Sequence, residues 1–135
     1  MIRLLYISTA RQQLTAMELA EILAVSRRNN AAVGVSGLLI VGGRRFLQAL
    51  EGPEEAVMAT YHRISRDPRH FAVVQLARET IAERQFAGWI MGVQAGGRPG
   101  RDATVSKTVA ALIAPISDAS LKGYFTGFAE RQAAA

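Results

Sequence analysis

The chain has 135 residues, of which 50% are hydrophobic and 20% charged, with a formal charge of +5 at pH 7 and no cysteine. This length and mix describe one globular domain with room for a core. The missing cysteine excludes disulfides, cysteine-ligated zinc or iron–sulfur centres, thiol nucleophiles and cysteine–flavin adducts. The arginines are scattered, with Arg27-Arg28 and Arg44-Arg45 as the doublets, so the charge reads as a solvated surface rather than a nucleic-acid footprint.

Residues 2–9 alternate as a strand, with Ile2, Leu4, Tyr6 and Ser8 on one face and Arg3, Leu5 and Ile7 on the other. This start lacks the apolar block and cleavage site of a signal peptide. No run is long and apolar enough to span a bilayer, so the expectation is a cytoplasmic protein with no membrane association. Thr15 to Glu18 has the form of a capping box and opens a helix with Leu19, Ile22, Leu23 and Ser26 at helical spacing. Fraying is expected near Asn29-Asn30. Residues 35–41 read as a strand, and Gly42-Gly43 as a tight turn into a second strand over Phe46–Leu50.

Gly52-Pro53-Glu54-Glu55 starts a second helix, with proline in the first turn and two acids facing the helix dipole. Val57, Tyr61 and Ile64 form one stripe of it, and Asp67-Pro68 ends it. Residues 71–80 and 87–93 read as two more strands. The order β-α-β-β-α-β-β predicts an α+β, ferredoxin-like sheet with both helices on one face. Residues 95–102 read as a linker. Two helices are expected after it, over about 103–114 and 118–131, divided at Ala114-Pro115. The first is apolar on Val105, Val109, Leu112 and Ile113. The division is therefore a domain over 1–94 and, over 95–135, a linker and helical extension that packs on the domain or on another chain.

Strand parity brings polar groups onto the helix-facing side. If Leu4 and Leu50 face the helices, so do Tyr6, Ser8 and Gln48, and Asn29-Asn30 sits at the helix end close to a strand. Phenol, hydroxyl and carboxamide groups can then converge between sheet and helices. They form either a core network that satisfies itself or the lining of a polar-edged ligand site. His62 and His70 have no ligand partners at metal-binding spacing, so a metal site is not expected.

Four stretches, "LLYIST", "NNAAVGVSGLLI", "RRFLQALEG" and "RQFAGWIMG", carry a resemblance. In order and spacing the chain resembles a BLUF domain over residues 1–94, of the short, single-domain type with two extra C-terminal helices. The resemblance implies a blue-light photoreceptor that holds FAD non-covalently and is not an enzyme. It implies Tyr6 and Gln48 as the photochemical pair, with Ile22 and Ile64 as apolar walls and Asn29, Asn30 and Phe46 also at the cofactor. Arg63, Asp67, Arg69 and His70 follow the segment that meets the dinucleotide tail, although the residues alone equally suit a solvated helix C-terminus. Trp89 and Met91 are implied as a signal relay. Light would move an electron and a proton between Tyr6 and the flavin by way of Gln48, rearranging hydrogen bonds and shifting absorption to the red. The output would pass to a downstream effector protein, and the apolar stripe of Val105, Val109, Leu112 and Ile113 predicts a homo-oligomer.

This chain has Val35-Ser36-Gly37 where members often have Ile-Thr-Gly, and Val41 in place of a frequent tyrosine. Neither position is in the Tyr6–Gln48 pair. The competing readings are a flavin-free, ferredoxin-like module for protein or RNA interaction and a small hydrolase. The strand around Gln48 lacks the exposed aromatics of an RNA-binding sheet, and no nucleophile with a base stands at motif spacing.

Overall fold

The structure, a computed structural model, describes residues 1–12, 15–42, 44–86, 92–96 and 119–134. In chain order the elements are β1 (Ile2–Ala10), α1 (Ala16–Val33), β2 (Ser36–Gly42), β3 (Arg45–Gly52), α2 (Glu54–Ser65), β4 (His70–Thr80), β5 (Gly92–Gly96) and α3 (Ala119–Ala134). The sheet order is β4-β1-β3-β2-β5. The first four strands are antiparallel and β5 joins parallel to β2. This is the expected ferredoxin-like arrangement with one strand added.

Strand parity sorts the core into two layers. Ile2, Leu4, Tyr6, Leu39, Val41 and Leu50 pack with Leu23 of α1 and Val57 of α2. On the reverse face Leu5, Leu38, Ile40, Leu47 and Ala49 pack with Phe86 and with Leu121, Phe125 and Phe128 of α3. Because both faces are covered, β2 is buried at every position, which is why Leu38 to Val41 run apolar without alternating. Burying each such leucine contributes roughly 1.5–3 kcal/mol. The C-terminal helix therefore packs on the domain, across the sheet from the other two. Gly37 allows β2 to approach β3 closely, since a Cβ there would stand 2.1 Å from the carbonyl oxygen of Ala49.

The capping box forms as expected. The Glu18 amide donates to Thr15 Oγ1 at 3.1 Å and the Thr15 amide donates to Glu18 Oε1 at 3.1 Å. The bond from the Thr15 backbone amide, and after it the Thr15 side chain, hold the Glu18 carboxyl below its ordinary pKa. Replacing Thr15 with Ala should lower unfolding free energy by about 1 kcal/mol, read as a lower urea midpoint. An unchanged midpoint would mean that the cap contributes nothing.

Several boundaries differ from expectation, and the C-terminal helix runs to Ala134 instead of stopping near 131. Instead of fraying at Asn29-Asn30, α1 runs on to Val33 and stops at Gly34, whose φ of 73° is left-handed. Ala31 and Ala32 favour helix, and the glycine supplies the stop. Asn30 consequently lies in the last helical turn. The last strand reaches Gly96, inside the expected linker, because Ala95 and Gly96 pair with Val41 and Gly42 on the open edge of β2. Gly-rich composition does not report whether a neighbouring edge will take up the backbone. Gly43, Trp89, Met91, the expected helix over 103–114 with its apolar stripe, and residues 97–102 lie outside the described residues. No helix among the described residues is long and apolar enough to cross a membrane.

Candidate functional site

A cavity of about 610 Å³ lies between the sheet and the two helices α1 and α2, within the size range of small-molecule sites. Its floor is set by strand register. Tyr6 of β1 stands directly across from Gln48 of β3, and Ser8 stands across from Phe46, so the four side chains form one contiguous patch. The Tyr6 hydroxyl donates to Gln48 Oε1. Both residues are buried. The Tyr6 ring meets Tyr61 of α2 edge-on, with centroids 5.3 Å apart and planes at 62°. Burial above all, and then the neighbouring Tyr61, pushes the Tyr6 hydroxyl far above the ordinary phenol pKa. Tyr6 is therefore a neutral hydrogen-bond donor at any physiological pH.

Asn30 bears on the two readings of the polar cluster. It is 1% exposed, and neither its Nδ2 nor its Oδ1 has a hydrogen-bond partner among the described residues. A buried amide left in this state costs roughly 1–3 kcal/mol for each unpaired group. Asn30 therefore leaves the cluster unsatisfied among the described residues, and it is also one of the residues that line the cavity.

Every residue expected to touch a cofactor lines this one cavity: Tyr6, Ile22, Asn29, Asn30, Phe46, Gln48, Arg63, Ile64, Asp67, Arg69 and His70. Ile22 of α1 and Ile64 of α2 give it apolar surface from both helices. At the end formed by α2 and the start of β4, Arg69 Nε donates to Asp67 Oδ1 and Oδ2, each at 2.9 Å. The Arg69 guanidinium holds the Asp67 carboxyl below its usual range. His70 Nε2 bonds the Ile64 carbonyl; a carbonyl only accepts, so Nε2 carries the proton. The Arg63 side chain, by contrast, has no hydrogen-bond or ion-pair partner among the described residues. Among the described residues no group of His, Asp and Glu could hold a metal ion.

Ser26 and Thr60 also line the cavity. Each lies four positions from a wall isoleucine, Ser26 after Ile22 and Thr60 before Ile64, so helical spacing carried the signal. Thr60 Oγ1 donates to the Ala56 carbonyl at 2.8 Å and is already satisfied.

Comparison with known proteins identifies the family. The sequence pattern of BLUF, "Sensors of blue-light using FAD", matches residues 1–92. The blue light- and temperature-regulated antirepressor BluF of Escherichia coli (strain K12) is 36% identical over 83 residues, covering 62% of this chain and 21% of that protein. Photoactivated adenylate cyclase subunit beta of Euglena longa is 36% identical over 89 residues, covering 65% of this chain and 10% of that protein. The chain thus spans about a fifth and a tenth of these curated relatives. Among solved structures, Klebsiella pneumoniae BlrP1 in its pH 9.0 manganese/cy-diGMP complex aligns with a TM-score of 0.77 at 27% identity, over 96% of this chain and 32% of that one. The dark-state structure of the BLUF protein BlrB aligns with a TM-score of 0.73 at 24% identity, over 99% and 96% of the two chains, and supports the fold alone. With residues 1–92 matched to the family and the sheet, helices and cavity arranged as described, the chain belongs to the BLUF family of blue-light sensors that use FAD.

Proposed function

We propose that Tyr6 and Gln48 are the photochemical pair of this FAD-using sensor, and that the cavity between α1 and α2 holds the cofactor. The observation that carries this is the buried Tyr6–Gln48 hydrogen bond beside an Asn30 amide whose donor and acceptor are both unpaired among the described residues. An isoalloxazine ring has apolar faces and a polar edge of carbonyls and ring nitrogens. Ile22 and Ile64 suit the faces, and Asn30 suits the edge. Arg63, with no ionic partner among the described residues, is the cation available to the dinucleotide phosphates. Arg69 and His70 are engaged with Asp67 and Ile64, so in this reading they shape that end of the cavity.

When bound, the flavin supplies a one-electron acceptor that blue light makes strongly oxidising. The chain's own part begins at Tyr6. Its proton is held firmly while the phenol is neutral, because burial disfavours phenolate. Once the ring gives up an electron, the hydroxyl becomes strongly acidic, and the proton has a ready acceptor in Gln48 Oε1. A carboxamide protonated on oxygen can pass a proton from its nitrogen to the group that took the electron, giving the imidic tautomer, or rotate to exchange oxygen and nitrogen. Return of the electron and proton restores the phenol and leaves Gln48 with a changed pattern of donors and acceptors. No covalent bond to the cofactor is needed.

The signal then passes to a partner protein, as the antirepressor and cyclase names of the relatives suggest for their own longer chains. A homo-oligomer in the cytoplasm, where a cysteine-free chain needs no oxidising compartment, completes the proposal. The purified protein should be yellow and should release intact FAD on denaturation. Colourless protein that takes up no added FAD would sink the assignment of the cavity.

A further inference from the structure

Across the sheet from the cavity, β3 carries a buried carboxylate. Glu51 is 0% exposed. Its Oε1 accepts from the Phe86 amide at 2.5 Å and from the Ser36 hydroxyl at 3.4 Å, and its Oε2 accepts from the Gln85 amide at 3.1 Å. Arg84 closes the group, donating to Ser36 Oγ at 2.8 Å, to the Glu51 carbonyl at 3.2 Å and to the Gly34 carbonyl at 2.7 Å. Arg3 stands directly across from Glu51 in the β1–β3 register. Burying ionised groups is a poor source of stability, since apolar side chains of similar volume often serve as well. What this arrangement provides is geometry: two backbone amides held by one charged acceptor, in directional and strong bonds.

Its position relates it to the cavity. The two amide side chains at the polar edge lie on elements that both end in this group. Asn30 is in the last turn of α1, whose cap Gly34 offers the carbonyl taken by Arg84. Gln48 precedes Glu51 on the same strand. On the far side, Phe86 is 1% exposed, and its ring meets Phe125 of α3 edge-on, with centroids 6.1 Å apart and planes at 80°. A continuous chain of contacts therefore runs from the cavity through β3 and the α1 cap to Glu51 and Arg84, then to Phe86 and α3.

We propose that Glu51, Arg84 and Ser36 are positioning residues that convert the rearranged hydrogen bonds of Gln48 and Asn30 into movement of Phe86, and through it of α3. This rests on the Tyr6–Gln48 reading. Close-packed interiors transmit small backbone shifts instead of absorbing them, and a two-position packing of Phe86 against Phe125 would turn such a shift into a discrete change.

The test is amide hydrogen exchange on the flavin-loaded full chain, dark and under blue light, in wild type, Glu51→Gln and Ser36→Ala. Glu51→Gln keeps the volume but turns an NH₂ group toward one of the two amides, and Ser36→Ala removes a bond to each charged partner. Wild type should exchange faster in the light at 85–86 and over 119–134. Both variants should keep a red shift of wild-type size yet lose most of the light–dark difference over 119–134. A merely structural role would instead raise exchange equally in dark and light and leave that difference in place. Should Glu51→Gln not fold, Ser36→Ala decides alone. A wild-type red shift with identical exchange over 119–134, or a folded variant that keeps the full difference, overturns the relay. A wild type with bound flavin and no red shift overturns the Tyr6–Gln48 reading and the relay together.

Discussion

Tyr6→Phe and Gln48→Leu should each bind flavin and each lose the light-induced red shift entirely. Tyr6→Phe removes one oxygen and keeps the ring that packs against Tyr61 at 5.3 Å. Its effect on stability should be small, because a typical intramolecular hydrogen bond contributes about 0.5–1.5 kcal/mol net. Gln48→Leu roughly preserves volume on a face already shared with Phe46 and Leu50 and leaves the Tyr6 hydroxyl without the acceptor seen here. The photochemical effect should be all or none. Without the phenol there is no acidic proton to pass on, and without the carboxamide there is no group to tautomerise or rotate. Absorption spectra before and after blue light, on samples matched for flavin content, make the comparison. A wild-type-like red shift in either variant would refute the roles given to this pair.

Asn30→Leu should move stability in opposite directions with and without the cofactor. In the flavin-free protein the substitution removes two buried polar atoms that have no partner among the described residues. Relief of that desolvation should raise unfolding free energy by roughly 1–3 kcal/mol. With flavin present, the same change removes a donor and an acceptor from the binding site. Affinity should then fall on the order of 10- to 100-fold, the equivalent of one or two good hydrogen bonds. Thermal unfolding of both forms, with a flavin titration, measures each arm. A flavin-free variant less stable than wild type, or one with unchanged affinity, would show that Asn30 is a packing residue and not a cofactor ligand. The sign of the first arm is the sharper discriminator, because an ordinary core residue seldom stabilises a fold when it is replaced.

Much of this architecture was legible in one dimension. Alternation along β1 and β3 put Tyr6, Ser8 and Gln48 on the helix-facing side, and Thr15 with Glu18 marked the start of α1. Such signals are local, since period and capping are properties of a few adjacent residues and survive in any context that forms the element. The stop of α1 was also local, in Gly34, but the two asparagines before it masked the signal.

Tertiary structure decided the rest. Parity says that Tyr6 and Gln48 share a face, yet only the β1–β3 register, joining residues 42 apart in sequence, makes them partners. A shift of that register by two residues would preserve every face and separate the pair. Nor could the sequence reveal that Asn30 would lack a partner among the described residues, because satisfaction of a polar atom depends on what surrounds it in three dimensions. The Glu51–Arg84 group is the clearest case. A glutamate before a glycine and an arginine in a polar stretch both look like surface residues, and only the packing of Phe86 and α3 on the reverse face of the sheet leaves Glu51 buried with the half-buried Arg84 bonded to its backbone. Local sequence fixes which way a side chain points along its own element, while its neighbours are chosen by long-range packing.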